Sequence, residues 1–219
     1  PSAGWRMAHS ILLLTGGVMK GKKVMNMLGW VLVTAGLAFT APAMAQHGTE
    51  SKDMRLVGFN DLQARTAYQP VINQQGNRWI AYIGHHGGVQ PNSFTGKDED
   101  NGTSVVDVTD PKSPKYLAHI PGDKGEGEAG AAQMIRVCSG KTLPKGDPSK
   151  FYILRTFGNK GHEIWDVTVP EKPALVSVVE KGLTGTHKNW WECDTGIAYL
   201  ISGVPGWRSS RMMQIYDLS

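Results

Sequence analysis

Beyond residue 54 the apolar positions fall in short runs separated by glycine- and proline-rich stretches, with no sustained helical period. The run Glu163-Ile164-Trp165-Asp166-Val167 is typical. As a strand it puts Ile164 and Asp166 on one face and Trp165 and Val167 on the other. Around it the pattern predicts a four-stranded unit, with strands at 131–138, 151–157, 162–168 and 174–180.

The same pattern recurs. Arg78-Trp79-Ile80-Ala81-Tyr82-Ile83-Gly84 followed by Thr103-Ser104-Val105-Val106-Asp107-Val108-Thr109 matches Phe151-Tyr152-Ile153-Leu154-Arg155 followed by His162 to Thr168. Ile197-Ala198-Tyr199-Leu200-Ile201 followed by Met212 to Ser219 begins it again. Asp107 and Asp166 are 59 residues apart, and Asp166 and Asp217 are 51 apart. A β-rich repeat of that length predicts an all-β fold, a β-propeller of four-stranded blades. The third copy stops before its fourth strand, so the chain reads as a fragment, an incomplete ring of about three blades over 46–219.

Asp110-Pro111-Lys112-Ser113-Pro114 and Val169-Pro170-Glu171-Lys172-Pro173 carry proline at the same two offsets, which marks turns between third and fourth strands. The aspartate before each turn is suited to bonding nearby backbone amides, a role in building the blade. Met54-Arg55-Leu56-Val57-Gly58-Phe59 resembles the fourth strands at 116–120 and 175–179. It is expected to be a strand that closes a ring by pairing with a last blade.

Composition sets the leader apart from the rest. Met19-Lys20-Gly21-Lys22-Lys23, the apolar stretch 27–39 and Ala43-Met44-Ala45 have the layout of a cleaved signal peptide over 19–45, with 1–18 an upstream leader. This predicts a periplasmic or secreted protein that meets a membrane only through an uncleaved signal. Arg6, Lys20, Lys22 and Lys23 are the only charged residues before Gln46, leaving 19 basic and 19 acidic residues after it. A balanced domain gives no electrostatic reason to expect nucleic acid.

At Val105-Val106-Asp107-Val108-Thr109-Asp110-Pro111, repeated as Glu163 to Thr168 and begun again at Gln214 to Ser219, the chain resembles the LVIVD repeat family of secreted bacterial β-propellers. The resemblance spans roughly 54–219. It implies an extracytoplasmic propeller, often with a binding role, and says little about activity.

In a four-stranded blade, the loops after the second and fourth strands emerge on one face. That gathers His85, His86, Glu126, Glu128, Asn159, Lys160, His187, Lys188, Asn189, Trp207 and Arg208 at one mouth, with His162 near its rim. Glu126, Glu128, Lys188, Asn189 and Arg208 are the candidates for binding a protein, glycan or small molecule. His85, His86, His162 and His187 are candidate ligands for copper, zinc or iron, although no tight metal spacing is present. Both adjacent histidines could reach one ion only if Gly87 and Gly88 bend the chain there.

Trp190 and Trp191 fall on an innermost strand and are expected to pack between blades. Cys138 and Cys193 occupy matching positions in neighbouring copies and form a disulfide only if the inner strands stand close enough. Asp98-Glu99-Asp100-Asn101-Gly102 lacks the ligand alternation of a calcium loop, and Asn101-Gly102-Thr103 is a bare glycosylation sequon. Two function classes follow: an exported binding or scaffold propeller, or a metal-dependent periplasmic oxidoreductase. The second is similar in outline only to copper-dependent, selenium-binding-type thiol oxidase propellers.

Overall fold

The computed structural model describes residues 53–219; the leader and signal assignments lie outside them. Among the described residues the strands are β1 (Pro70–Gln75), β2 (Arg78–Gly87), β3 (Val89–Asn92), β4 (Lys97–Asp100), β5 (Gly102–Asp107), β6 (Lys115–Pro121) and β7 (Gly127–Ala132). They continue as β8 (Ile135–Ser139), β9 (Phe151–Phe157), β10 (Gly161–Asp166), β11 (Ala174–Lys181), β12 (Asn189–Trp191), β13 (Ile197–Ser202) and β14 (Met212–Asp217). No helix among them is long and apolar enough to cross a membrane.

Three antiparallel sheets form the blades. The first is β1-β2-β5-β6, the second β8-β9-β10-β11 and the third β12-β13-β14. Inner strand β8 lies beside both β1 and β12, so the blades follow one another around an axis. This is the all-β propeller architecture read from the repeat.

Strand alternation explains the packing. Ile80, Tyr82 and Val105 turn one way, onto Ile135, Ile153 and Val167 of the second blade. Ala81, Ile83 and Val106 turn the other way, onto Leu62 of the preceding segment. The other face of the second blade packs Cys138 and Leu154 against Trp191, Ala198 and Leu200. Each such large apolar side chain contributes about 1.5–3 kcal/mol by leaving water.

Asp107, Asp166 and Asp217 build matching turns. Each Oδ1 accepts the backbone N–H two residues on, from Thr109, Thr168 and Ser219, at 2.9 Å. Asp107 is also paired with Arg78 at 2.9 Å, and Asp166 with Lys150 at 3.1 Å. Asp98, Glu99 and Asp100 form strand β4 of a hairpin with β3. Asn101 is buried and its amide donates to the His86 carbonyl at 3.1 Å, so the sequon asparagine is part of the fold.

Three expectations are corrected. Residues 54–59 form no strand. The segment runs along the first blade's proline turn, where Gly58 backs onto Pro111 and the Asn60 amide donates to the Pro114 carbonyl at 3.3 Å. The strand expected over 131–138 is divided: β7 pairs with the far end of β2, and the chain then turns into β8 to pair with β9. The break falls at Gln133 and Met134, two residues after Ala131, which sits at φ +62° inside β7. Finally, β2 does not end in a glycine loop at His85. Its pairing with β7 carries it on through Gly87.

Candidate functional site

Because β2 stays extended, its two histidines point to opposite sides. His85 is fully buried, with Nδ1 2.6 Å from the Thr66 carbonyl and Nε2 2.7 Å from Ser104 Oγ. A carbonyl can only accept, so Nδ1 carries the proton and Nε2 accepts from Ser104, whose oxygen is in turn 2.7 Å from the Tyr116 hydroxyl. The spacing is that of a serine–histidine dyad, but Ser104 and His85 are both sealed from solvent. Burial pushes His85 down to about 4. The group holds the blade together.

The other candidate metal ligands lie in separate settings. His162, on β10, is fully buried, neither ring nitrogen has a hydrogen-bond partner, and burial lowers it to about 4. The His86 ring packs on Tyr68 with centroids 4.5 Å apart. His187 Nε2 lies 3.3 Å from Glu128 Oε1 without forming an aligned hydrogen bond. No group of three or more His, Cys, Asp or Glu among the described residues has an arrangement able to hold a metal ion. The histidines share a general region without sharing a ligand sphere.

The residues just before the inner strands do converge. Tyr68 precedes β1, Met134 precedes β8 and Lys188 precedes β12. Lys188 Nζ lies 2.5 Å from the Tyr68 hydroxyl, 4.5 Å from that ring's centroid and 3.8 Å from Met134 Sδ. Nearby, Glu128 bridges His187 and Arg211, the latter at 3.2 Å, and these contacts hold its carboxyl below the usual range. Lys160 pairs with Asp123 at 2.9 Å. Of the expected binding residues, Glu128 thus sits in a charged cluster and Lys188 against an aromatic ring and a thioether. Glu126 and Arg208 are exposed, and Asn189 is buried with both amide atoms unpaired. Tyr68, Met134 and Arg211 were not read from the sequence; the two positions before each inner strand were the available signal.

Beside inner strands β1, β8 and β12, a cleft of about 490 Å³ is lined by Gln69, Val71, Arg136, Trp190, Glu192 and Asp194. Trp191 is buried between blades as expected, but Trp190 is 53% exposed and carries the Arg136 guanidinium over its ring at 5.1 Å. Two adjacent tryptophans on a strand must face opposite ways, and only one faces the neighbouring blade. Cys138 and Cys193 are bonded beside this cleft, with Cα atoms 5.4 Å apart.

No family model and no curated protein matches the chain. Among solved structures it is similar to a glycoside hydrolase family 43 arabinoxylan arabinofuranohydrolase from Bacillus subtilis in complex with cellotetraose. The match has 19% identity over 67% of this chain and 35% of that one, with a TM-score of 0.39. At that level it says nothing about the chemistry of this chain.

Proposed function

We propose that the chain is an exported binding propeller of LVIVD type, which takes a protein, glycan or small-molecule ligand on its loop-bearing mouth. The observation behind this reading is the meeting of Tyr68, Met134 and Lys188, each just ahead of a different inner strand, at the top of the channel. Such a cluster combines an aromatic face, a soft apolar group and a cation on elements fixed by three blades, the mixture that ligand sites use. Glu128 and Arg211 add charge beside it, with the His187 ring against Glu128. Export is supported by the signal-like leader and by a disulfide suited to an oxidising compartment.

The metal-dependent oxidoreductase is not carried further, because its four histidines form no common ligand set among the described residues. The binding reading is tested by screening the full chain against glycan and metabolite libraries and against periplasmic proteins. Each hit is then repeated with Lys188→Ala and Glu128→Ala. Loss of a saturable hit in either variant supports the mouth as the site; hits indifferent to both variants count against it.

A further inference from the structure

We propose that the channel wall is a second, distinct site, one that binds a uronic-acid ring of a glycan, with Arg136 reading the carboxylate and Trp190 the sugar face. This goes beyond the mouth reading and does not depend on it.

Arg136 stands on inner strand β8 and forms no ion pair among the described residues, although Glu192 and Asp194 line the same cleft. Its single hydrogen bond among the described residues runs from Nη1 to the carbonyl of Ile135 at 2.8 Å. Nε is buried without an acceptor, and Nη2 is also without one. Nε is closed off from the cleft, so the donors left for a ligand are Nη2 and the second N–H of Nη1, an end-on fork that matches the two oxygens of a carboxylate. A partly desolvated guanidinium without a counter-charge is costly, and burial lowers its affinity for its proton. A bound carboxylate would offset that cost.

Trp190 supplies the other half. Its exposed indole borders the cleft, and a saturated ring can lay its C–H face on the indole surface not covered by Arg136. The remaining polar lining consists of the Gln69 amide and the Glu192 and Asp194 carboxylates. Glu192 already accepts a hydrogen bond from the Thr195 hydroxyl at 3.0 Å. These groups suit the hydroxyls of a sugar. An aromatic acid would leave them unpaired, and a neutral sugar would leave the Arg136 fork unpaired. A single carboxylate also adds less repulsion against Glu192 and Asp194 than a doubly charged phosphate. The cleft volume of about 490 Å³ lies within the usual range for small-ligand sites.

The test is titration calorimetry of the full chain with trigalacturonate, its methyl ester and neutral maltotriose. The acid should bind, with the ester and the neutral sugar weaker by about tenfold or more, the size expected for losing a charge-assisted fork. Arg136→Lys keeps the charge but not the fork, and should weaken the acid by about tenfold. Trp190→Ala should weaken acid and ester alike. Circular dichroism shows that each variant is folded. Equal binding of acid and ester, indifference to Arg136→Lys in a folded variant, or no binding of the acid overturns the channel site. Loss of acid binding in Lys188→Ala together with parent affinity in Arg136→Lys moves the ligand to the mouth, which overturns this inference while leaving the proposed function standing.

Discussion

Arg155 and Glu163 form a sealed ion pair on the face of the second blade that packs against the first. Nη2 and Nε of Arg155 reach the same carboxylate oxygen at 2.8 and 3.0 Å, and both residues are buried. The pair has further partners on both residues. Arg155 also donates to the carbonyls of Ile120 and Pro121 at 3.0 and 2.7 Å, and Trp165 Nε1 donates to Glu163 at 2.8 Å while its ring stacks under the guanidinium. Because Ile120 and Pro121 belong to the first blade, the pair ties the two blades together.

Glu163→Gln would strand the arginine charge in the interface and should cost about 3–5 kcal/mol. Replacing both partners by Met and Leu removes the buried charge altogether, so the double variant should lose less than the two single variants summed. Urea unfolding of the four proteins checks this. A Glu163→Gln loss below about 1 kcal/mol would show the site to be hydrated rather than sealed.

The disulfide joins inner strands of neighbouring blades across a sequence separation of 55. Closing a loop of that length restricts the unfolded chain by about 4 kcal/mol in the entropic account. Cys138→Ser with Cys193→Ser should therefore lower the urea midpoint clearly, and reductant should reproduce the loss in the parent. Intact-mass measurement before and after alkylation reports the bond directly; two alkylated thiols in unreduced protein would contradict the pairing.

The repeated aspartates separate turn-building from charge pairing. Asp166→Asn keeps an oxygen for the Thr168 N–H but loses the ion pair with the half-exposed Lys150, so it should cost under about 1 kcal/mol. Asp166→Ala loses both, and the orphaned amide brings the cost to about 1–2 kcal/mol. Equal losses in the two variants would mean that the charge, not the turn, matters.

These three aspartates show how far the sequence could be read. Proline offsets and a recurring Asp-x-Thr or Asp-x-Ser step identify blades because they encode local geometry, which each copy repeats in its own hydrogen bonds. The last three strands of the second blade fell close to expectation for the same reason. His85 and His86 were misread because β2 is prolonged by β7, a partner from the next segment that no local pattern announces. Trp190 was assigned to packing because its exposure depends on which blade face meets a neighbour. Residues 54–59 have the apolar pattern of a strand but join none of the sheets among the described residues, and pattern alone cannot place them in one.

Acid should destabilise the fold before its carboxylates titrate. His85, His119 and His162 are each lowered to about 4, first by burial. Unfolded histidine titrates near ~6.5, so above that pH all three are neutral in both states and contribute nothing to the slope. As pH falls from about 6.5 towards 4, the unfolded chain takes up protons that the folded one refuses, and stability falls by up to about 1.4 kcal/mol per pH unit for each histidine. The lowered carboxyls of Asp107 and Asp166 lose their contribution only further down, so they do not produce this slope. Urea midpoints should be level between about pH 8 and 7 and drop steadily below about 6.5. His162→Gln should make that drop shallower, because it removes one proton acceptor from the unfolded state. A midpoint level down to about pH 4.5 would mean that the buried imidazoles find compensating partners when charged.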